Sequence, residues 1–351
     1  MSFQKETVAG KVRSGSKLLR DLVVVASFGL FSVQASAAVI EEFRSPIPVS
    51  MPLHVGLTSE PAGGQTCDHK LWVGLFTAGK LAYVSDPAQP WAIYDMSPAS
   101  GPMNIRVDSK DNSAWVSAVG NYITNMKTSG EHTETSIPSA ASMPMGVGED
   151  AQGNIWFAEM WRDQITKRLP NGQVVEYKIP GKGRAGPTGL TVDKNGDVWF
   201  AESVSGKVSV YRTATGKFER YELPGLARPM GISYMPMQAD QNVVWFTETL
   251  GNRIGSISLD GKKITLYKIP TKASLPMMAM QDMYGNVWFT EMEGNQIGQL
   301  IPNPSAPESS QIIEHRIPTP VSMPMGLAID DECKTVWFTE TRGNQLGKLK
   351  Y

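Results

Sequence analysis

Few residues in this chain are suited to proton transfer. Only four of its 351 residues are histidines. His69 falls in a loop, and His132 and His315 fall in alternating outer segments. His54, in Pro52-Leu53-His54-Val55, stands alone beside a segment that recurs along the chain. A lone histidine serves either as a hydrogen-bonding residue or as a general acid or base. Glu159, Glu202, Glu248, Glu291 and Glu340 share one repeat position. A glutamate fixed in a repeat reads as a structural acceptor of backbone N–H groups, with metal or acid–base work left for one or two copies. Met103, Met145, Met230, Met277 and Met325 share another position. Thioethers exchange no protons, but flexible methionines either line a site for an irregular apolar ligand or simply plug a channel. Trp161 and Arg162 follow Glu159 where most other repeats carry smaller residues. As an exposed pair they would stack on or orient an unsaturated substrate; the alternative is a packing variant of one repeat. No Ser/His/Asp order, zinc-ligand spacing or phosphate loop stands out. The candidate catalytic residues are therefore His54, Arg162 and Glu340. The candidate substrate-binding residues are Met103, Met145, Trp161, Met230, Met277 and Met325.

The elements that must position these residues are set by tryptophan. Trp72, Trp115, Trp156, Trp199, Trp245, Trp288 and Trp337 recur at intervals of 41–49 residues. A repeat of about 40–45 residues is the length of one four-stranded propeller blade. Seven copies predict an all-β, seven-bladed propeller. Within a repeat, VWFTE has the composition of a strand buried on both faces. A Gly-Asn pair then supplies residues with φ > 0 for a tight turn, as at Gly251-Asn252. An outer strand closes on Ile-Pro, and a loop leads to Pro-x-Gly or a variant, which opens the next innermost strand. The residue after each repeat proline and the residue three after each tryptophan should face the same end of the axis. The chain stops too soon after Trp337 for an outer strand. Val39–Pro48 is an outer strand with no preceding blade, and it is expected to complete the last blade.

Residues 39–351 thus read as one domain, and residues 1–38 as a secretory signal. Lys11, Arg13, Lys17 and Arg20 precede an apolar run, with cleavage near Ala37 or Ala38. An uncleaved anchor is the alternative, though the run is short for a span of about 20 residues. Without the leader the net charge is −4, from 28 basic and 32 acidic side chains. That balance argues against nucleic acid or an anionic membrane surface as partner. A monomer without stable membrane association after cleavage is expected. Cys67 and Cys333 fall between the first and second strands of the first and last blades. The spacing predicts a disulfide across the closure seam, the alternative being two free thiols.

The repeat VWFTExxGNxIGxI…EYxIPT…PxGI resembles that of the streptogramin B lyase (virginiamycin B lyase) family over essentially all of residues 39–351. The resemblance implies a seven-bladed propeller. For lyase members it also implies magnesium-assisted opening of a cyclic depsipeptide ester by elimination. That chemistry rests on histidines in Pro-His segments of the last two blades and on glutamates of the final blade. Here Met277 and Met325 stand at the histidine positions and Met323 at a glutamate position. Glu340 is present, but Thr341 aligns nearest the metal-binding glutamate. A thioether neither exchanges protons nor holds a hard Mg²⁺. A looser resemblance is to secreted propellers of fungal natural-product pathways, including hetero-Diels–Alderases. The expected function is therefore cyclisation, pericyclic chemistry or non-hydrolytic C–O bond making or breaking on a hydrophobic natural product. No essential metal or other cofactor is expected. The alternatives are a magnesium-dependent lyase or lactonase using Glu291, Glu340 and His54, and a non-catalytic propeller that binds a small ligand or peptide.

Overall fold

The computed structural model describes residues 38–58, 67, 69–97, 100–235 and 242–351. The expected leader, apart from Ala38, lies outside the described residues. The described residues form seven four-stranded antiparallel sheets. Blade six is representative: Pro276–Gln281 innermost, then Val287–Glu291, Gln296–Ile301 and, outermost, Gln311–Arg316. Successive inner strands touch, and that of blade one touches that of blade seven, so the blades form a ring.

Closure follows the expected route with a shorter strand. Val39–Arg44 pairs antiparallel with Gln345–Lys350, from Val39 opposite Lys350 to Arg44 opposite Gln345. It stops before Pro48 because Ser45 leaves the ladder. The Ser45 N–H donates to Asn344 O at 3.0 Å, and its hydroxyl bonds that of Ser50 at 2.8 Å. The expected Cys67–Cys333 disulfide spans the same seam, with its Cα atoms 5.4 Å apart.

The core lies between blades. Trp199 of blade four packs with Ile232, Val244 and Phe246 of blade five. A buried indole hides about 150–250 Å². At about 25 cal/mol per Å² that contributes roughly 4–6 kcal/mol as an upper estimate. The indole N–H still needs an acceptor. Trp156, Trp199 and Trp288 donate to Asp150, Asp193 and Asp282 at 2.8, 2.9 and 2.9 Å. Each aspartate lies six residues after its repeat proline and also caps its own turn: Asp193 Oδ1 accepts the Asn195 N–H at 2.8 Å.

The Gly-Asn turns differ from expectation in one respect. Asn252, Asn295 and Asn344 adopt φ of 53–56°, whereas among the glycines preceding the turn asparagines only Gly120 has positive φ. Space favours glycine at these positions instead, strongly at Gly251 and more mildly at Gly294. A Cβ on Gly251 would lie 2.5 Å from Glu248 Oε2, and one on Gly294 would lie 3.1 Å from Glu291 Oε2. The asparagines do a second job. Asn252 Oδ1 accepts the Ser274 N–H at 2.8 Å and its hydroxyl at 3.0 Å, and Asn252 Nδ2 donates to Thr271 O at 2.8 Å. Asn121, Asn295 and Asn344 hold Ser142, Ser322 and Ser50 in the same way. Each turn therefore latches the loop that enters the next blade.

Candidate functional site

Six inner strands begin at their repeat proline and that of blade two begins one residue earlier, at Gly101, and in all seven blades the register slips by one residue just beyond the proline. In blade three Pro144 faces Glu159 but Val147 faces Phe157, so Met145 and Gly146 together oppose Ala158. Such a bulge bends a strand and re-aims a side chain. In blades five, six and seven a threonine of the second strand holds the bulge. Thr290 Oγ1 accepts the Met278 N–H at 3.1 Å and donates to Met325 O at 3.1 Å in the next blade.

The re-aimed side chains meet in an axial cavity of about 310 Å³. Eight methionines line it: Met51, Met103, Met145, Met230, Met277, Met278, Met323 and Met325, together with Leu53 and Phe76. The polar side chains of its wall are His54, Asn104, Thr188 and Thr341. A second cavity of about 220 Å³ continues along the axis and shares His54, Asn104, Gly189 and Met278 with the first. It leads to a vestibule of about 900 Å³ with Arg106, Glu149, Asp150, Lys167 and Lys194 in its wall.

The shared residues form a waist with a definite cause. The position after the bulged residue is Gly146, Gly189, Gly231 and Gly326 in four blades, where neighbouring inner strands leave no room for a Cβ. On Gly231 it would lie 2.3 Å from Met277 O. In blades one, two and six the same position carries His54, Asn104 and Met278, which narrow the channel. His54 is 8 % exposed, and neither ring nitrogen has a hydrogen-bond partner among the described residues. Burial lowers its pKa to about 4. The ring is therefore neutral at pH 7, with one nitrogen to donate and one to accept.

The mouth carries backbone strain. Val49 and Met51 have φ of 54° and 48°, and Val321 and Met323 have φ of 56° and 54°. A β-branched residue in this region is an outlier, and such strain persists only where its surroundings enforce it. Here the latched serines, Ser50 and Ser322, sit between each strained pair. The loops carry Met51 and Met323 to the cavity rim. Sequence reasoning missed both as lining residues, together with Met278, Asn104 and Phe76. The available signal was the segment x-Ser-x-Pro at residues 49–52, 141–144, 273–276 and 321–324.

The structure thus brings His54 together with Met103, Met145, Met230, Met277 and Met325. Trp161 and Arg162 occupy the turn after Glu159 and do not line the cavity. Trp161 is 53 % exposed, and Arg162 Nε donates to Ala140 O at 2.6 Å. Glu340 is fully buried in its blade, beside the lining Thr341 but facing the third and outer strands. Gln345 Nε2 approaches it at 3.4 Å. Burial, and then the nearby Glu42 carboxylate, raise its pKa to about 8. Three of the other repeated glutamates accept from side chains rather than from the expected backbone N–H groups, and Glu291 has no partner on either oxygen among the described residues. Glu159 takes Thr166 and Gln164, Glu202 takes Ser209 and Arg220, and Glu248 takes Arg253.

Magnesium does not fit this cavity. Its donors are thioethers, one imidazole, one amide and two hydroxyls, and the Thr341 hydroxyl is already bonded to Pro52 O at 2.7 Å. No carboxylate lines it, whereas Mg²⁺ is held by carboxylates within a rigid octahedron of oxygens.

Seven four-stranded blades, four of them latched turn to loop by an asparagine, closed by an N-terminal strand and pierced by a methionine-lined axial cavity, define a seven-bladed β-propeller. The chain belongs to the virginiamycin B lyase family, whose sequence profile matches residues 54–303 and again 182–351. A streptogramin B lyase structure is 30 % identical, with a TM-score of 0.77 over 90 % of this chain and 98 % of that one. The virginiamycin B lyase of Staphylococcus aureus is 25 % identical, with a TM-score of 0.78 over 90 % and 99 %. A catalytically inactive histidine-to-alanine form of the S. aureus lyase, solved with quinupristin, is 26 % identical, with a TM-score of 0.76 over 90 % and 99 %. No curated protein gives a match.

Proposed function

We propose that this protein is a secretory-pathway member of the family that has left depsipeptide elimination for another reaction on a hydrophobic natural product. It takes the molecule into the methionine cavity. There it promotes cyclisation, a pericyclic step of hetero-Diels–Alder type, or non-hydrolytic C–O bond making or breaking. The observation that carries this reading is the neutral, unpartnered His54 ring at the waist of an otherwise thioether-lined cavity. A pericyclic step moves no proton to the protein, so it needs no acid–base pair. It needs a folded substrate, and an enclosing apolar wall lowers the entropic part of the barrier. One imidazole N–H aimed at a carbonyl withdraws electron density as the new bonds form. The enclosure also keeps water from a reactive intermediate. The seam disulfide is compatible with a secretory route.

The test is comparative metabolite profiling of the source organism with and without the gene, followed by conversion of any accumulated isomer by purified protein. Conversion that survives EDTA and falls about 10²-fold in His54→Ala supports the reading. Conversion abolished by EDTA would restore the metal-dependent lyase. An unchanged profile, with stoichiometric release of an unaltered ligand, would make the propeller a binding protein.

A further inference from the structure

The closure seam holds a cluster remote from the axial cavity. His69 Nδ1 lies 3.0 Å from Asp330 Oδ2, and the Cys333 N–H donates to Asp330 Oδ1 at 2.9 Å. The side-chain donor atoms of His69, Asp330 and Cys333 all lie within 4.8 Å of one another. Cys67 joins them through its bond to Cys333. We propose that this cluster is a redox-gated zinc site: with the bridge reduced, Cys67, Cys333, His69 and Asp330 bind one Zn²⁺ and staple the first blade to the last.

The donor set suits that ion. Two thiolates, an imidazole and a carboxylate are borderline-soft ligands of the kind that take zinc in a tetrahedron. With bonds of about 2.0–2.3 Å, ligand atoms of such a site stand roughly 3.2–3.8 Å apart. The His69, Asp330 and Cys333 donors need only a modest contraction, the imidazole–carboxylate pair being already near that spacing, and the two sulfurs move apart once the bond between them is reduced. The chemistry balances. A dithiol reductant passes two electrons and two protons to the bridge and itself becomes a disulfide. Two protein thiols result, and Zn²⁺ displaces their protons to solvent as the thiolates bind.

The repeat shows that Asp330 has been redeployed. Counted from its repeat proline, it is the counterpart of Asp150, Asp193 and Asp282, each of which caps its own blade's indole. In blade seven the carboxylate faces His69 across the seam instead, and it is 4 % exposed. The loop that follows it is one residue longer than in blade six, and Cys333 lies within it. Reduction need not open the ring, because Val39–Arg44 closes it independently of the bridge.

The experiment uses the full chain, oxidised or reduced anaerobically with a phosphine. Each form is titrated with Zn²⁺ against a chromophoric chelator and, separately, with Co²⁺. The expected result is one tight zinc per chain in the reduced form and none in the oxidised form. Reduced protein with Co²⁺ should show a thiolate-to-cobalt charge-transfer band. His69→Ala and Asp330→Asn should each weaken zinc at least about tenfold. Each variant's ability to re-form the bridge on oxidation, read by thiol titration, reports that its seam is folded. Absence of stoichiometric zinc in the reduced wild type would overturn the proposal. So would a missing charge-transfer band, or affinity unchanged in both folded variants.

Discussion

Blades four and six are built on one repeat but use it in opposite ways. In blade four Glu202 is fully buried and fully paired: Ser209 donates to it at 2.6 Å and Arg220 Nε at 2.8 Å, with Ser205 and Arg220 Nη2 on the other oxygen. Blade four presents only Thr188 and Gly189 to the methionine cavity. In blade six Glu291 is equally buried, yet neither oxygen has a partner among the described residues. Its channel residues are the bulky Met277 and Met278. The difference begins on the third and outermost strands. Where blade four offers Ser209 and Arg220, blade six has Gly298 and Glu314. Gly298 is needed because a Cβ there would lie 2.1 Å from Phe289 Cζ. One motif glutamate is thus paired with an arginine in blade four and left without a partner among the described residues in blade six. Burial, and then the Glu314 carboxylate, raise the Glu291 pKa to about 8.

The largest effect should come from breaking the paired side. Arg220→Met strands a buried carboxylate and should cost about 3–5 kcal/mol in denaturant-monitored unfolding. Glu202→Gln strands the guanidinium and should also destabilise strongly near neutral pH. A loss below about 1 kcal/mol in both would show that the pair does not anchor its blade.

Glu291→Gln should behave differently, because glutamine mimics the protonated acid. Between pH 4.5 and about 8 the unfolded chain releases this proton while the native state keeps it. Wild-type stability from this group therefore falls as pH rises through that window. The variant should match wild type near pH 4 and exceed it at pH 8 by up to roughly 4 kcal/mol, since the rise from 4.5 to about 8 carries about 1.4 kcal/mol per pKa unit. Equal pH dependence of wild type and variant would remove the distinction between the two blades.

The smallest effect concerns the loops that enter these blades. Blade four has Gly186 (φ 61°) before its proline, whereas blade six has Leu275 (φ 51°). Leu275→Gly relieves about 1–2 kcal/mol of left-handed strain. Glycine's extra chain entropy offsets about 0.5–1 kcal/mol of that. The net change in unfolding free energy should stay within about 1 kcal/mol. A large loss would mean that Leu275 packing, not the Ser274 latch, fixes the mouth.

The sequence by itself determined the ring. Seven evenly spaced tryptophans, the strand they sit in and an orphan outer strand at residue 39 dictate seven blades, because each blade can bury its apolar faces only against a neighbour. It also determined the five-methionine ring and placed Cys67 and Cys333 in corresponding loops on either side of the seam, since equivalent repeat positions must face the same way. Only the tertiary structure decided the rest. The bulge after each repeat proline, invisible in residue types, turns the methionines inward. The contact between neighbouring inner strands makes four positions glycine and leaves His54, Asn104 and Met278 to form the waist. Whether a repeat glutamate is paired, as Glu202 is, or unpaired, as Glu291 is, depends on the side chains that the neighbouring strands of its blade bring to it. His69 and Asp330 meet because residues 261 positions apart become neighbours when the ring closes. Local pattern fixes which strand a residue belongs to; partners across blades, and the dielectric they create, fix what that residue does.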